Sequence, residues 1–233
     1  MRTALACLAV LLASACRPDA APADRPDTAP ASRTATAAAT PDAAAAADVI
    51  VAHFRCGDLA VGARFVNARR ELVLTPGPRR LVLPQVVAAS GARYADAGGN
   101  EFWNKGDAAT LVLDGQRHDC TATDQASPWD EARARGVTFR GLGTEPFWSL
   151  EVDATPAIRL DLDAGSRRLR VDQAGILEGG EGYAGTADDG SQVVLRIRRD
   201  ACSDGMSDLR YPASIELQVG DEHVRGCGGF LER

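Results

Sequence analysis

Of the 26 basic side chains in this sequence of 233 residues, only one, Lys105, is lysine; every other is arginine. Histidine is scarce too: His53, His118 and His223 are scattered over strand-like segments. No G-x-S-x-G, H-E-x-x-H, P-loop or Rossmann pattern occurs, so no catalytic motif and no cofactor site can be named. His118-Asp119 beside Cys120 hints at a Cys/His nucleophile, but that cysteine reads better as half of a disulfide. A formal net charge of -6 excludes a general nucleic-acid binder. Nothing beyond the first 15 residues is apolar enough to cross a bilayer, which takes about 20 residues. Residues 17–47 contain no Leu, Ile, Val, Met or aromatic side chain, so they have nothing to bury in a core. They comprise 14 Ala, 5 Pro, 4 Thr, 4 Asp, 3 Arg and 1 Ser, and the prolines keep the alanines from forming one helix. The expected form is a disordered, semi-extended tether. A short helix capped by Asp42 and running through Ala43 to Ala47 is the alternative, below the length that is stable alone.

The first 15 residues form an export signal: one cation, Arg2, then an apolar run through Leu12 and the small residues Ala13-Ser14-Ala15. Ala13-Ser14-Ala15 satisfies an ordinary cleavage site. With Cys16 directly behind it, the arrangement also resembles the bacterial lipobox, apart from Ala13 where Leu is usual. That resemblance implies cleavage before Cys16, diacylation of that cysteine as residue one, and attachment to a membrane by lipid alone. Arg17 stands where an Asp resembles the inner-membrane retention signal, so the expected address is the outer membrane, facing the periplasm.

Cys7 leaves with the signal, and the mature chain keeps Cys16, Cys56, Cys120, Cys202 and Cys227. In an oxidising compartment four can pair, and lipidation accounts for the odd one, Cys16. Four cysteines allow three connectivities; pairing within each half gives Cys56–Cys120 and Cys202–Cys227. A structural zinc site is the competing use, against which stands the lack of any C-x-x-C pair.

From Asp48 onward short apolar runs alternate with Gly, Pro and Asp. Val49 to Phe54, Ala60 to Val66, Glu71 to Thr75, Arg80 to Ala88 and Ala108 to Leu113 read as strands. A charged segment from Trp129 to Arg135 fits two helical turns, and strands resume at Val137. Beyond it the period is two: Ile158, Leu160 and Leu162 oppose Arg159, Asp161 and Asp163. Leu169 and Val171 oppose Arg168, Arg170 and Asp172. Val193, Leu195 and Ile197 oppose Arg196 and Arg198; Ile215, Leu217 and Val219 oppose Glu216 and Gln218. One apolar and one wet face argue for antiparallel sheet or barrel. The expected fold is all-β: a first domain over 48–122 and a second antiparallel β domain over 123–233.

Four pieces of the first domain stand in a specific order: Phe54-Arg55-Cys56, then Ala89-Ser90-Gly91-Ala92-Arg93-Tyr94, then Phe102-Trp103-Asn104-Lys105-Gly106-Asp107-Ala108, and finally Cys120. Together they resemble the MliC family, membrane-bound inhibitors of c-type lysozyme, with Phe54 where Tyr is commoner. The resemblance implies an eight-stranded antiparallel barrel closed by the Cys56–Cys120 disulfide. It implies c-type lysozyme as partner, with Ser90 and Lys105 entering its cleft and Gly91, Tyr94 and Gly106 in the contacting loops. Such a plug has a physical basis, because lysozyme works with one protonated and one ionised carboxyl group. An ammonium between them neutralises the pair and donates up to about three hydrogen bonds, which a planar guanidinium would do differently. Gly91 and Gly106 permit narrow turns with positive φ, while Tyr94 and Trp103 fix the loops from behind.

In the second half, Gly143-Thr144-Glu145-Pro146-Phe147-Trp148-Ser149-Leu150 and Cys202-Ser203-Asp204-Gly205-Met206-Ser207-Asp208 resemble a β domain of uncharacterised bacterial envelope lipoproteins. Tyr211-Pro212 and Arg225-Gly226-Cys227-Gly228-Gly229 complete that match, which implies a fold and no chemistry. Glu145 beside Trp148 reads as a strand start with a buried indole. Asp204 and Asp208 are too few oxygen ligands for a calcium loop. The arginines at 159, 168, 170, 196 and 198 read as a solvated sheet face. The leading expectation is a tethered lysozyme inhibitor rather than an enzyme. Its rival is a non-inhibitory envelope-maintenance lipoprotein whose second domain binds a cell-wall component.

Overall fold

The computed structural model describes residues 48–207 and 209–232, so the export signal, Cys16 and the tether lie outside the described residues. The first eight strands are β1 (Val49–Cys56), β2 (Leu59–Val66), β3 (Glu71–Pro76), β4 (Leu81–Val86), β5 (Ala92–Ala95), β6 (Glu101–Lys105), β7 (Ala108–Leu113) and β8 (Gln116–Thr123). They form a closed antiparallel barrel in sequence order. Closure comes from β1 pairing with β8, with Cys56 opposite Cys120 and bonded to it. The interior is filled by side chains, as a barrel of about eight strands requires. Phe54 meets Phe102 edge to face at 5.1 Å, and Leu72, Leu74, Leu83 and Leu111 complete the packing.

Antiparallel connections alternate between the two rims of the barrel. At one rim stand the start of β1, the β2–β3 turn and the end of β8, together with the loops 87–91 and 106–107. The chain enters here, where Asp48 O accepts from Asn67 N at 3.1 Å. At the other rim stand the β1–β2, β3–β4, β5–β6 and β7–β8 turns.

A short helix, α1 (Pro128–Ala134), follows. Ser127 caps it, its hydroxyl accepting from Asp130 N at 3.0 Å, with Pro128 at the first position and Asp130 and Glu131 in the first turn. The expected helix over 129–135 is therefore present, one residue earlier. Nine further strands make one antiparallel sheet, a half-barrel. They are β9 (Val137–Thr144), β10 (Phe147–Asp153), β11 (Ile158–Leu162), β12 (Arg167–Val171), β13 (Gly175–Ile176), β14 (Gly182–Thr186), β15 (Gln192–Arg198), β16 (Ala213–Val219) and β17 (Glu222–Phe230). Their order is β12-β11-β10-β9-β17-β16-β15-β14-β13, so the last strand docks beside the first. Each expected apolar row faces the core of this sheet, from Ile158 to Val219. Two residues of the alternation lie beyond their strands: Asp172 follows the end of β12, and Asp163 stands in a 3-10 turn at φ 51°.

The glycines around the β9–β17 pairing have a packing role. A Cβ on Gly143 would overlap the Trp148 indole, and one on Gly226 would come within 2.7 Å of it. Trp148 thus lies in a slot cut by two glycines and is buried, while Glu145, expected at a strand start, is exposed in the β9–β10 turn. The second disulfide, Cys202–Cys227, ties the loop after β15 to β17. In the chain-entropy view, loops with separations of 64 and 25 residues give on the order of 3.5 to 4.5 kcal/mol per bond as an upper bound.

Barrel and half-barrel are joined through α1. Asp130 accepts from Thr75 Oγ1 of the barrel at 2.7 Å, from Ser127 Oγ at 2.6 Å and from Arg133 at 3.0 Å. Arg133 in turn donates to the carbonyl of Gly77 at 2.9 Å, in the β3–β4 turn. Burial lowers the Arg133 pKa, and the Asp130 carboxylate opposes that shift. Around this pair, Trp129, Ala132, Tyr211, Cys227 and Leu231 form a small core, to which Leu209 adds contact with the barrel. Gly62 has no room for a side chain, since a Cβ there would stand 2.5 Å from both Asp130 and Thr75.

Asp130→Ala removes the carboxylate and leaves Arg133, only 12% exposed in its side chain, without its partner. The expected loss is about 2 to 4 kcal/mol of unfolding free energy, read as a lower urea midpoint with barrel and half-barrel transitions moving apart. An unchanged midpoint would mean that the joint contributes nothing.

Candidate functional site

The rim at which the chain enters carries two neighbouring loops whose contents match the positions singled out in the sequence. Loop 87–91 joins β4 to β5 and holds Ser90 and Gly91; the β6–β7 hairpin holds Lys105 and Gly106. Strand pairing sets them side by side, with Ala92 opposite Asn104 and Lys105 opposite Ala108. Ser90, Gly91, Lys105 and Gly106 are all exposed.

One side chain organises both loops. Trp103 is on the outer face of β6, and its Nε1 donates to the carbonyl of Ser90 at 2.9 Å. The same indole lies under the Lys105 ammonium, whose Nζ is 3.7 Å from the ring centroid. A cation over an indole is worth about 0.5 to 1 kcal/mol at an exposed position. That is enough to bias a side chain whose rotamer freedom is worth about 2 kcal/mol. The hairpin is further tied by Asn104 Nδ2, which donates to the carbonyl of Gly106 at 2.9 Å. Beside Trp103, Arg93 donates to Glu101 at 2.6 Å, and this bond holds the Glu101 carboxyl below the ordinary carboxylate range.

The two glycines differ in function. Both have positive φ, 69° at Gly91 and 67° at Gly106. A Cβ on Gly91 would overlap the Asn104 carbonyl and stand 2.9 Å from Lys105 Cγ, whereas one on Gly106 would meet nothing within 4 Å. Gly91 therefore lets the two loops touch, and Gly106 serves the turn alone. Tyr94 is not at this surface. It is 5% exposed, inside the barrel opposite Phe102, with Phe65 at 5.6 Å, and burial raises its pKa. It supports the rim from within, where a partner does not reach it.

Other singled-out residues occupy separate places. The Asp204 carboxylate accepts from the backbone of Met206 and Ser207, from Ser207 Oγ and from Tyr211 OH at 2.9 Å, so its oxygens serve a tight turn. Asp208 lies outside the described residues. Among the described residues no group of three His, Cys, Asp or Glu is placed to hold a metal. Trp103 was expected to fix the loops, and the structure gives it contacts with both, through the Ser90 carbonyl and the Lys105 ammonium.

The glycine assignment makes a measurable distinction. Gly91→Ala is expected to lower the thermal midpoint by more than Gly106→Ala, which carries only the left-handed backbone cost of about 1 to 2 kcal/mol. Equal losses would show that the loops do not depend on their close approach at Gly91.

A family model described as membrane-bound lysozyme-inhibitor of c-type lysozyme, MliC, matches residues 54–119. A protein of Yersinia enterocolitica named membrane-bound lysozyme inhibitor of C-type lysozyme is 37% identical over 62 residues, covering 27% of this chain. The chain spans about half the length of that relative, 52%. No solved structure matches the chain. The matched residues begin in β1 and end in β8, so they take in both rim loops. Over residues 54–119, this chain is similar to the MliC family.

Proposed function

We propose that the barrel inhibits c-type lysozyme by inserting the rim that carries Ser90 and Lys105 into the active-site cleft. The observation that carries this reading is the Trp103 indole, which bonds the Ser90 loop at 2.9 Å and holds the Lys105 ammonium at 3.7 Å. A plug gains affinity when its side chains are ordered before binding, because little freedom is then lost on association. The ammonium supplies positive charge and donors to the two catalytic carboxyl groups, and the Ser90 hydroxyl donates to or accepts from the protonated one. Gly91 and Gly106 keep the loops thin enough to enter. The joint to the half-barrel uses Thr75, Gly77 and α1, toward the opposite rim, and so does not involve the inserting loops. A net charge of -6 favours encounter with a basic lysozyme.

The same reading makes the protein a lipoprotein, anchored through Cys16 after removal of residues 1–15 and held off the outer membrane, on its periplasmic side, by residues 17–47. Its role is binding rather than catalysis. The relative from Yersinia enterocolitica, named as membrane-bound, supports the envelope location.

A lysis assay with the full chain and a c-type lysozyme tests the proposal. Micromolar protein is expected to inhibit, Lys105→Ala to raise the inhibition constant by about tenfold or more, and Ser90→Ala to raise it less. No inhibition by the wild-type chain would sink the assignment. Inhibition that survives Lys105→Ala unchanged would sink the plug mechanism. Trp103→Leu, which keeps Lys105 but removes its platform and the bond to the Ser90 loop, is expected to weaken inhibition by about threefold or more in a protein that stays folded.

A further inference from the structure

The outer face of the half-barrel is rich in arginine, and most of these side chains reach a carboxylate. Arg168 donates to Asp161 at 2.9 Å, Arg167 to Glu222 at 3.0 Å and Arg140 to Glu151 at 2.5 Å, while Arg170 pairs with Asp172. The pattern breaks across β15, β16 and β17. There the cross-strand row runs Arg196, Glu216, Arg225, with two arginines flanking one acid. Glu216 already accepts from Arg198 at 3.2 Å. Three arginines therefore share a single carboxylate, and neither Arg196 nor Arg225 forms an ion pair among the described residues.

These three arginines line a groove of about 420 Å3. The loop held by the Cys202–Cys227 disulfide forms one wall, contributing Ser203, and Ser214 lies between Arg198 and Cys227 on the sheet. Asp204 also borders the groove, but its oxygens are taken by Met206, Ser207 and Tyr211. At the edge stands Phe147, 49% exposed and cross-strand to the groove residue Thr144.

The geometry points to this groove as a binding site for a carboxylate-bearing glycan. A guanidinium offers a planar fork that matches a carboxylate in a bidentate fashion. Arg196 and Arg225 are left with that capacity unused. The hydroxyls of Ser203 and Ser214 suit the hydroxyl and amide groups of a sugar, and the open Phe147 ring suits its apolar face. A groove of this size lies within the range of about 300 to 1,000 Å3 that small-molecule ligands occupy. The carboxylate has two possible sources, an acidic sugar ring or the acidic stem peptide of a cell-wall glycan. This site is separate from the lysozyme-directed rim and does not rest on that reading.

Calorimetric titration of the full chain with tetragalacturonate, with a disaccharide-tetrapeptide muropeptide and with neutral chitotetraose separates the possibilities. At least one of the two acidic ligands is expected to bind, more weakly as salt is raised, and chitotetraose is expected not to. Whichever acidic ligand binds identifies the source. Arg196→Gln/Arg225→Gln is expected to weaken binding by about tenfold or more while lysozyme inhibition stays as it was. Both positions are exposed, and a thermal midpoint checks the fold. Should that pair of changes unfold the protein, Arg225→Lys retains the charge, loses the fork and is expected to weaken binding severalfold. Absence of binding by both acidic ligands, equal binding of chitotetraose, or unchanged binding in the folded variants would each overturn the site.

Discussion

The pairing of β1 with β8 is the constraint on which the rest of the barrel depends. Once that seam closes, the sheet has no edge, and every connection must lie at one rim or the other. Odd and even turns are thereby separated. The loops with Ser90 and Lys105 fall at one rim, and the β3–β4 turn that takes the half-barrel's weight falls at the other. Cys56 and Cys120 lock the seam itself, so the covalent bond and the hydrogen-bonded ladder hold the same pair of strands. One molecule can then carry a second domain and still present a free rim.

At that rim, rigidity comes from small numbers of well-placed contacts. An indole, a glycine and one amide do most of the positioning. Trp103 spans the two loops, Gly91 lets them touch, and Asn104 closes the hairpin. The lone lysine of an otherwise arginine-based chain sits at the centre of this arrangement. The half-barrel uses glycine in a related manner, with Gly143 and Gly226 making the slot that Trp148 fills. In both domains a tryptophan and the glycines beside it are a single packing unit.

Much of this was legible in the sequence, for reasons that can be traced. The rows from Ile158 to Leu162 and from Ile215 to Val219 are long enough for period two to show, and they face the core. β5 and β6 were not visible in the residue pattern, because Ala92–Ala95 and Glu101–Lys105 each send one large apolar side chain inward, Tyr94 and Phe102. The family resemblance implies eight strands without giving the bounds of these two. The joint was illegible altogether. Thr75, Asp130 and Arg133 are ordinary polar residues, and 55 positions separate the first from the second. Alternation likewise marks Arg168 and Arg196 equally as outward. Whether an outward arginine has a carboxylate beside it depends on strand order, and β17 reaches its neighbours only from the far end of the chain.

The entry of the chain at Asp48 sets a clearance problem. Asp48 joins β1 at the rim that bears Lys105, so under the proposed anchoring the tether leaves the barrel on the same side as the inserting loops. On that proposal, the gap it can span is at most about 3.3 to 3.6 Å per residue of tether. The length of that stretch, as well as the chemistry of the rim, then decides whether a lysozyme fits between the proposed anchor and the loops.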